Sequence, residues 1–118
     1  MERFEVVRDS CREHQEVFLP EKSTSKSVGF DFRSCETVYI EPRSKHTFWM
    51  DVKVRLADDE MLLLLPRSSI GIGMNLMLAN TVGIVDPDYY GNDENDGNIA
   101  ICMRNYGEDT EIDRKSVV

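Results

Sequence analysis

Asp86-Pro87-Asp88-Tyr89-Tyr90-Gly91 sets a carboxylate and two tyrosines around a turn, directly after the apolar residues near Gly83. A carboxylate leaving a strand end can orient and deprotonate a water, and an aromatic beside it can pack against a sugar or base. The same residues also fit a hairpin whose aspartates favour the turn and whose tyrosines cover the core. Upstream, Pro66-Arg67-Ser68-Ser69 combines a planar fork of donors with two hydroxyls, a set suited to phosphate oxygens. It equally fits a surface turn whose serines cap the next segment. In Gly29-Phe30-Asp31-Phe32, an acid stands between two aromatics. Asp31 either faces water from an edge strand or holds the water shell of a hard cation such as Mg²⁺. Asn92 to Asp96 lacks the spacing of an EF-hand and reads as a solvated acidic loop. His14 and His46 have no partner legible in the sequence and receive no role.

The elements that must hold these residues read as strands and turns throughout. Strand candidates are Phe4 to Arg8, Glu16 to Leu19, Gly29 to Phe32 and Thr37 to Ile40, with a polar loop between Pro20 and Ser27. The clearest pattern is His46 to Leu56, where Phe48, Met50, Val52, Val54 and Leu56 alternate with Trp49, Asp51, Lys53 and Arg55. That period of two predicts one continuous strand with one buried face. Met61 to Leu65 taken alone could be a helical turn, but its place between a polar turn and Pro66 favours a buried strand. Further strands are expected at Met74 to Ala79, Ile99 to Arg104 and Glu111 to Val118, and no helix of convincing length is found. Many short strands joined by turns predict an all-β barrel or jelly-roll-like sandwich.

The 118 residues predict a single domain, 1–118, with a core small enough that oligomerisation would usefully add buried surface. With 41% apolar and 31% charged residues, the composition is that of a globular protein. The net charge of −8 argues against binding a nucleic acid polymer, yet leaves room for a small nucleotide held by a few local cations. No apolar run reaches the roughly 20 residues of a membrane span, and the N-terminus lacks signal-peptide character, so a cytoplasmic location is expected. Three widely spaced cysteines indicate neither zinc nor a disulfide framework. Cys102 is expected in the core.

Taken together and in order, these segments resemble the trimeric dUTPase family. Ser27-Val28-Gly29-Phe30-Asp31-Phe32 resembles its first motif, usually Ala-Gly-x-Asp, with Val28 in place of the alanine. Pro66-Arg67-Ser68-Ser69 matches the second motif, and Asn80 to Gly91 the third, at a fitting interval. The resemblance implies a distorted β-barrel of jelly-roll type, a homotrimer with shared sites, and Mg²⁺-dependent hydrolysis of dUTP to dUMP and pyrophosphate. It further implies that Asp86 activates the attacking water. Asn80 and the backbone of Gly83, Ile84 and Val85 would read the uracil edge, and Tyr89 would pack under the deoxyribose. Arg67, Ser68 and Ser69 would contact phosphates, while Asp31 would hold the metal's waters. Two departures are expected to matter: Lys115 to Val118 stands where the fourth motif should fall, and the glycine-rich fifth motif is not reached. They leave open either a hydrolase with impaired turnover or a non-catalytic nucleotide sensor or protein-binding module. The related dCTP deaminase class fits less well, because its glycine–aromatic–glutamate arrangement does not follow Asp86.

Overall fold

The computed structural model of the chain describes residues 3–108 and 110–112. Nine short strands make up its regular structure: β1 (Phe4–Val6), β2 (Val38–Ile40), β3 (Lys45–Trp49), β4 (Val52–Val54), β5 (Leu62–Leu64), β6 (Leu76–Leu78), β7 (Gly83–Val85), β8 (Ala100–Asn105) and β9 (Thr110–Ile112). One four-residue helix, α1 (Ser68–Gly71), and 3-10 turns at Asp9–Cys11 and Pro87–Tyr89 complete it. The pairings are antiparallel: β1 with β4, β2 with β9, β5 with β7, and β8 between β3 and β6. The fold is all-β, as expected, built from small sheets around one core; among the described residues the ladders do not join into a closed barrel. No helix among them is long and apolar enough to cross a membrane.

The core is assembled mainly by alternation. Along β8, Ile101, Met103 and Asn105 point inward, and the inward residues of β6, Leu76 and Leu78, join them. Phe48, Met50, Val52 and Val54 bury the predicted face of the central segment. The segment is not one strand, however. Asp51 adopts φ 58°, which divides β3 from β4 and turns a residue expected outside into one that is fully buried. Its carboxylate accepts the backbone N–H of Glu13 at 2.9 Å and of His14 at 2.8 Å, and the Asn98 amide at 2.9 Å. Those bonds satisfy a buried charge that would otherwise be very costly.

Other expectations are corrected. Glu16 to Leu19 forms no strand and joins no ladder among the described residues, and Gly29 to Phe32 contributes there only an isolated bridge between Asp31 and Glu21. The leucine run alternates instead of being buried on both faces: Leu64 is inside, while Met61, Leu63 and Leu65 are exposed. Cys35 is buried, and Cys102 is only half-buried because it shares the outer face of β8 with Arg104. His14 and His46 do have partners: both rings bond the Glu36 carboxylate, and His14 Nδ1 lies 2.9 Å from Asp51. Of the expected last strand, residues 113–118 lie outside the described residues, as does the place of the fourth motif.

Candidate active site

Strand β7 exits onto Asp86, an exposed residue that opens the Pro87–Tyr89 turn, with the proline at its first positions. Proline pre-sets the backbone angle needed there, so the carboxylate stands clear of the strand end. Asn80, Gly83, Ile84, Val85, Asp86, Asp88 and Tyr89 line one cleft of about 270 Å³, closed behind by Leu64, Ile99 and Ala100. Leu64 and Ile99 give that cleft an apolar floor, while Asn80 and Asp86 are its polar rim. Within the described ladders, β7 pairs only through β5, so its other edge leaves backbone groups available to a planar partner. Thr81 holds φ 72°, unusual for a β-branched residue, in the turn that delivers Asn80 to this rim.

Tyr89 is the cleft's fixed wall. Its ring is half-buried against the core, and its hydroxyl donates to the Asn98 carbonyl and accepts from Asn95 Nδ2 at 3.0 Å. Burial pushes the phenol above its ordinary range, and the Asn95 bond opposes that only in part. Tyr90 turns away to a different task. Lys53 and Arg55 lie 4.8 and 4.5 Å from its ring centroid, and its hydroxyl donates to Glu5 at 2.7 Å. The aromatic pair of the sequence therefore divides into one cleft residue and one structural residue.

The phosphate-suited residues gather elsewhere on the chain. Arg67 stands just before α1, with Ser68 and Ser69 exposed in its first turn and Ile70 anchoring it in the core. Arg67 Nε lies 3.8 Å from Asp31 Oδ1, which brings the first two sequence segments together. Both line a second cleft of about 480 Å³ with an apolar wall that includes Phe30, Leu63 and Leu65; Ser68 and Ser69 are not part of that lining. Leu64 lines both clefts, but Asp31 and Arg67 are not in the one that holds Asp86.

Sequence reasoning missed Asn95 and Asn98, which hold the Tyr89 hydroxyl. The run from Asn92 to Asn98 is not a loose solvated loop: Asp96 is buried, bonded to Lys53 Nζ and to the Arg8 backbone, each at 2.8 Å. Burial pushes its carboxyl up, but the Lys53 and Arg8 contacts outweigh this and hold it below the usual range. The legible signal was the density of Asn, Asp and Gly, residues whose side chains and backbone favour inward-bonding turns.

A family model described as dUTPase matches residues 15–115. The chain belongs to the dUTPase family. It is 32% identical over 112 residues to the deoxyuridine 5'-triphosphate nucleotidohydrolase of Lactococcus lactis, covering 95% of this chain and 73% of that one. The enzyme of the same name from an Enterobacter strain is 30% identical over 113 residues, covering 93% and 70%. Among solved structures, the dUTPase of Streptococcus mutans superimposes with a TM-score of 0.84 at 29% identity, covering 98% of this chain and 90% of that one. A mutant dUTPase of phage phi11 of S. aureus, described with a structural Mg(II) ion, gives 0.66 at 25% identity, covering 89% and 60%.

Proposed function

We propose that this protein hydrolyses dUTP to dUMP and pyrophosphate, as a homotrimer whose sites draw on more than one subunit. The observation that carries this reading is the Asn80–Tyr89 cleft, where a strand edge unpaired among the described residues, an exposed carboxylate and a pinned aromatic wall converge. Uracil presents an alternation of acceptor and donor, which the edge of β7 and the Asn80 amide complement. A base with a different edge would leave buried polar groups unpaired, a strong basis for discrimination. Tyr89 packs beneath the deoxyribose. Asp86 takes the proton from the attacking water as its oxygen bonds phosphorus and the bond to the pyrophosphate leaving group breaks.

Arg67, Ser68 and Ser69 provide the cation and hydroxyls for the phosphates. They lie in or beside a cleft separate from Asp86, which supports a site completed across subunits. Exposed Leu63 in β5, with exposed Met61 and Leu65 flanking the strand, supports the same assembly. For Mg²⁺ the donor set is thin: among the described residues no cluster of three or more His, Cys, Asp or Glu could cage an ion. Asp31 alone fits a metal that arrives on the triphosphate and keeps most of its waters. When bound, that metal would neutralise phosphate charge. No observation favours the non-catalytic alternative.

The test is pyrophosphate release from dUTP beside dCTP, dTTP and UTP, in wild type and Asp86→Asn. The expected result is selective turnover of dUTP that falls at least about 100-fold in the variant, while dUMP still binds. Undiminished turnover in Asp86→Asn would remove the carboxylate from the chemistry.

A further inference from the structure

Asn95 uses its whole carboxamide. Its Oδ1 accepts from Asn92 Nδ2 at 2.8 Å and from the Gly97 N–H at 3.1 Å, while its Nδ2 donates to the Tyr89 hydroxyl at 3.0 Å. On the far side, that hydroxyl donates to the Asn98 carbonyl. The tip of the tyrosine is thereby held from two directions by a single short loop. The loop itself has little freedom. Asn92 Oδ1 accepts the N–H groups of Glu94 and Asn95, each at 3.0 Å, and Asn92 Nδ2 also reaches back to the Tyr89 carbonyl at 2.7 Å. Asp96, buried and bonded to Lys53 and Arg8, fastens the loop to β4 and the N-terminal segment.

We propose that Asn95 is a positioning residue for Tyr89, and that through it the Asn92–Asn98 loop sets how strictly the site separates deoxyribonucleotides from ribonucleotides. The inference rests on the reading of Tyr89 as the surface beneath the deoxyribose. Its physical basis is that steric exclusion is only as strong as the wall that enforces it. A tyrosine held by its ring alone can yield to an added hydroxyl at small cost. A tyrosine tied at its hydroxyl must break bonds to yield, and the bonds leave partly buried polar atoms unpaired. Rigid support of this kind is what turns a contact into a specificity element.

Two measurements test it on the full chain. The first is the ratio of kcat/KM for dUTP to that for UTP in wild type, Asn95→Ala, Tyr89→Phe and the double variant. The second is fluorine NMR of 3-fluorotyrosine-labelled protein, with the Tyr89 signal assigned by its loss in Tyr89→Phe. The ratio is expected to fall roughly three- to tenfold in Asn95→Ala, the size of one hydrogen bond, and at least as far in Tyr89→Phe, which also loses the bond to the Asn98 carbonyl. The double variant should fall no further than Tyr89→Phe alone, because removing the hydroxyl already removes its bond to Asn95. In Asn95→Ala, the loss should appear in KM for dUTP more than in kcat, and the Tyr89 signal should shift and narrow. An unmoved Tyr89 signal, or an unchanged ratio in the variants, overturns the proposal. Tyr89→Phe leaves the loop's own bonds in place, so it carries the same prediction should Asn95→Ala fold poorly. A wild type that does not prefer dUTP over UTP overturns the underlying reading as well, and that outcome is distinct because it arises before any variant is compared.

Discussion

Gly83 pairs with Leu64 across the β5–β7 ladder, and a Cβ placed on it would sit 2.9 Å from Leu64 Cδ1 and 3.0 Å from Leu64 Cβ. Contacts that close are not tolerated, and the atom nearest the backbone has no rotamer by which to escape. Gly83→Ala would therefore push β7 outward, moving the strand edge assigned to the base. We expect it to cost about 1–3 kcal/mol in urea unfolding and to weaken dUMP binding in a calorimetric titration. Retained affinity in a destabilised variant would show that the β7 backbone does not read the base. At this scale, the candidate site was legible in the sequence wherever its residues are consecutive. Arg67-Ser68-Ser69 and Asp86 through Tyr89 carry their chemistry in local order. Asn95 was not, because its role exists only once the loop folds back so that its amide meets a hydroxyl six residues earlier.

Among the elements, the alternation from Phe48 to Leu56 correctly gave the buried face but not the break at Asp51. The pattern of apolar residues does not register a left-handed residue when the face resumes in phase after it. What makes the break favourable is remote: the backbone of Glu13 and His14, and the side chain of Asn98. The same distance hid the histidines. Glu36 bonds His14 Nε2 at 3.0 Å and also His46 Nε2, linking the N-terminal segment to the chain around β2 and β3. Burial pushes the His14 imidazolium toward a lower value, but bonds to Glu36 and Asp51 outweigh it and raise its pKa. Burial likewise raises the Glu36 carboxyl, and its two histidine bonds outweigh that and lower it. A raised histidine contributes stability below its ordinary value near 6.5 and loses it as pH rises through the folded value. A lowered glutamate contributes above about 4.5 and loses it as pH falls. The cluster is thus most stabilising between about pH 4.5 and 6.5. Glu36→Gln should cost about 1 kcal/mol in urea unfolding near pH 5.5, a modest value because the pair is partly solvated, and less near pH 8.5. A cost independent of pH would mean that Glu36 acts through packing alone.

At the scale of the whole molecule, the two clefts that hold the candidate residues stand beside an exposed apolar strip. Leu63 and Ile84 face each other across β5 and β7, 48% and 57% exposed, with Met61 and Leu65 exposed just beyond the two ends of β5. Paired apolar side chains on an outward sheet face are costly in water and fit a surface covered in the proposed assembly. The placement of Arg67 and Asp31 in one cleft and Asp86 in another fits the same proposed assembly. Both features are accommodated at once if a second copy covers β5 and brings its own phosphate contacts to the first chain's Asp86. Met61→Glu with Leu63→Glu adds two charges to a chain already at −8, so repulsion compounds the lost burial. The variant should sediment as a monomer at concentrations where wild type is expected to form the proposed trimer. Its turnover per chain should rise with protein concentration as assembly is regained, which direct damage to a cleft would not produce. A monomeric wild type, or a monomeric variant with full turnover per chain, would mean that one chain completes the site by a route other than a shared interface.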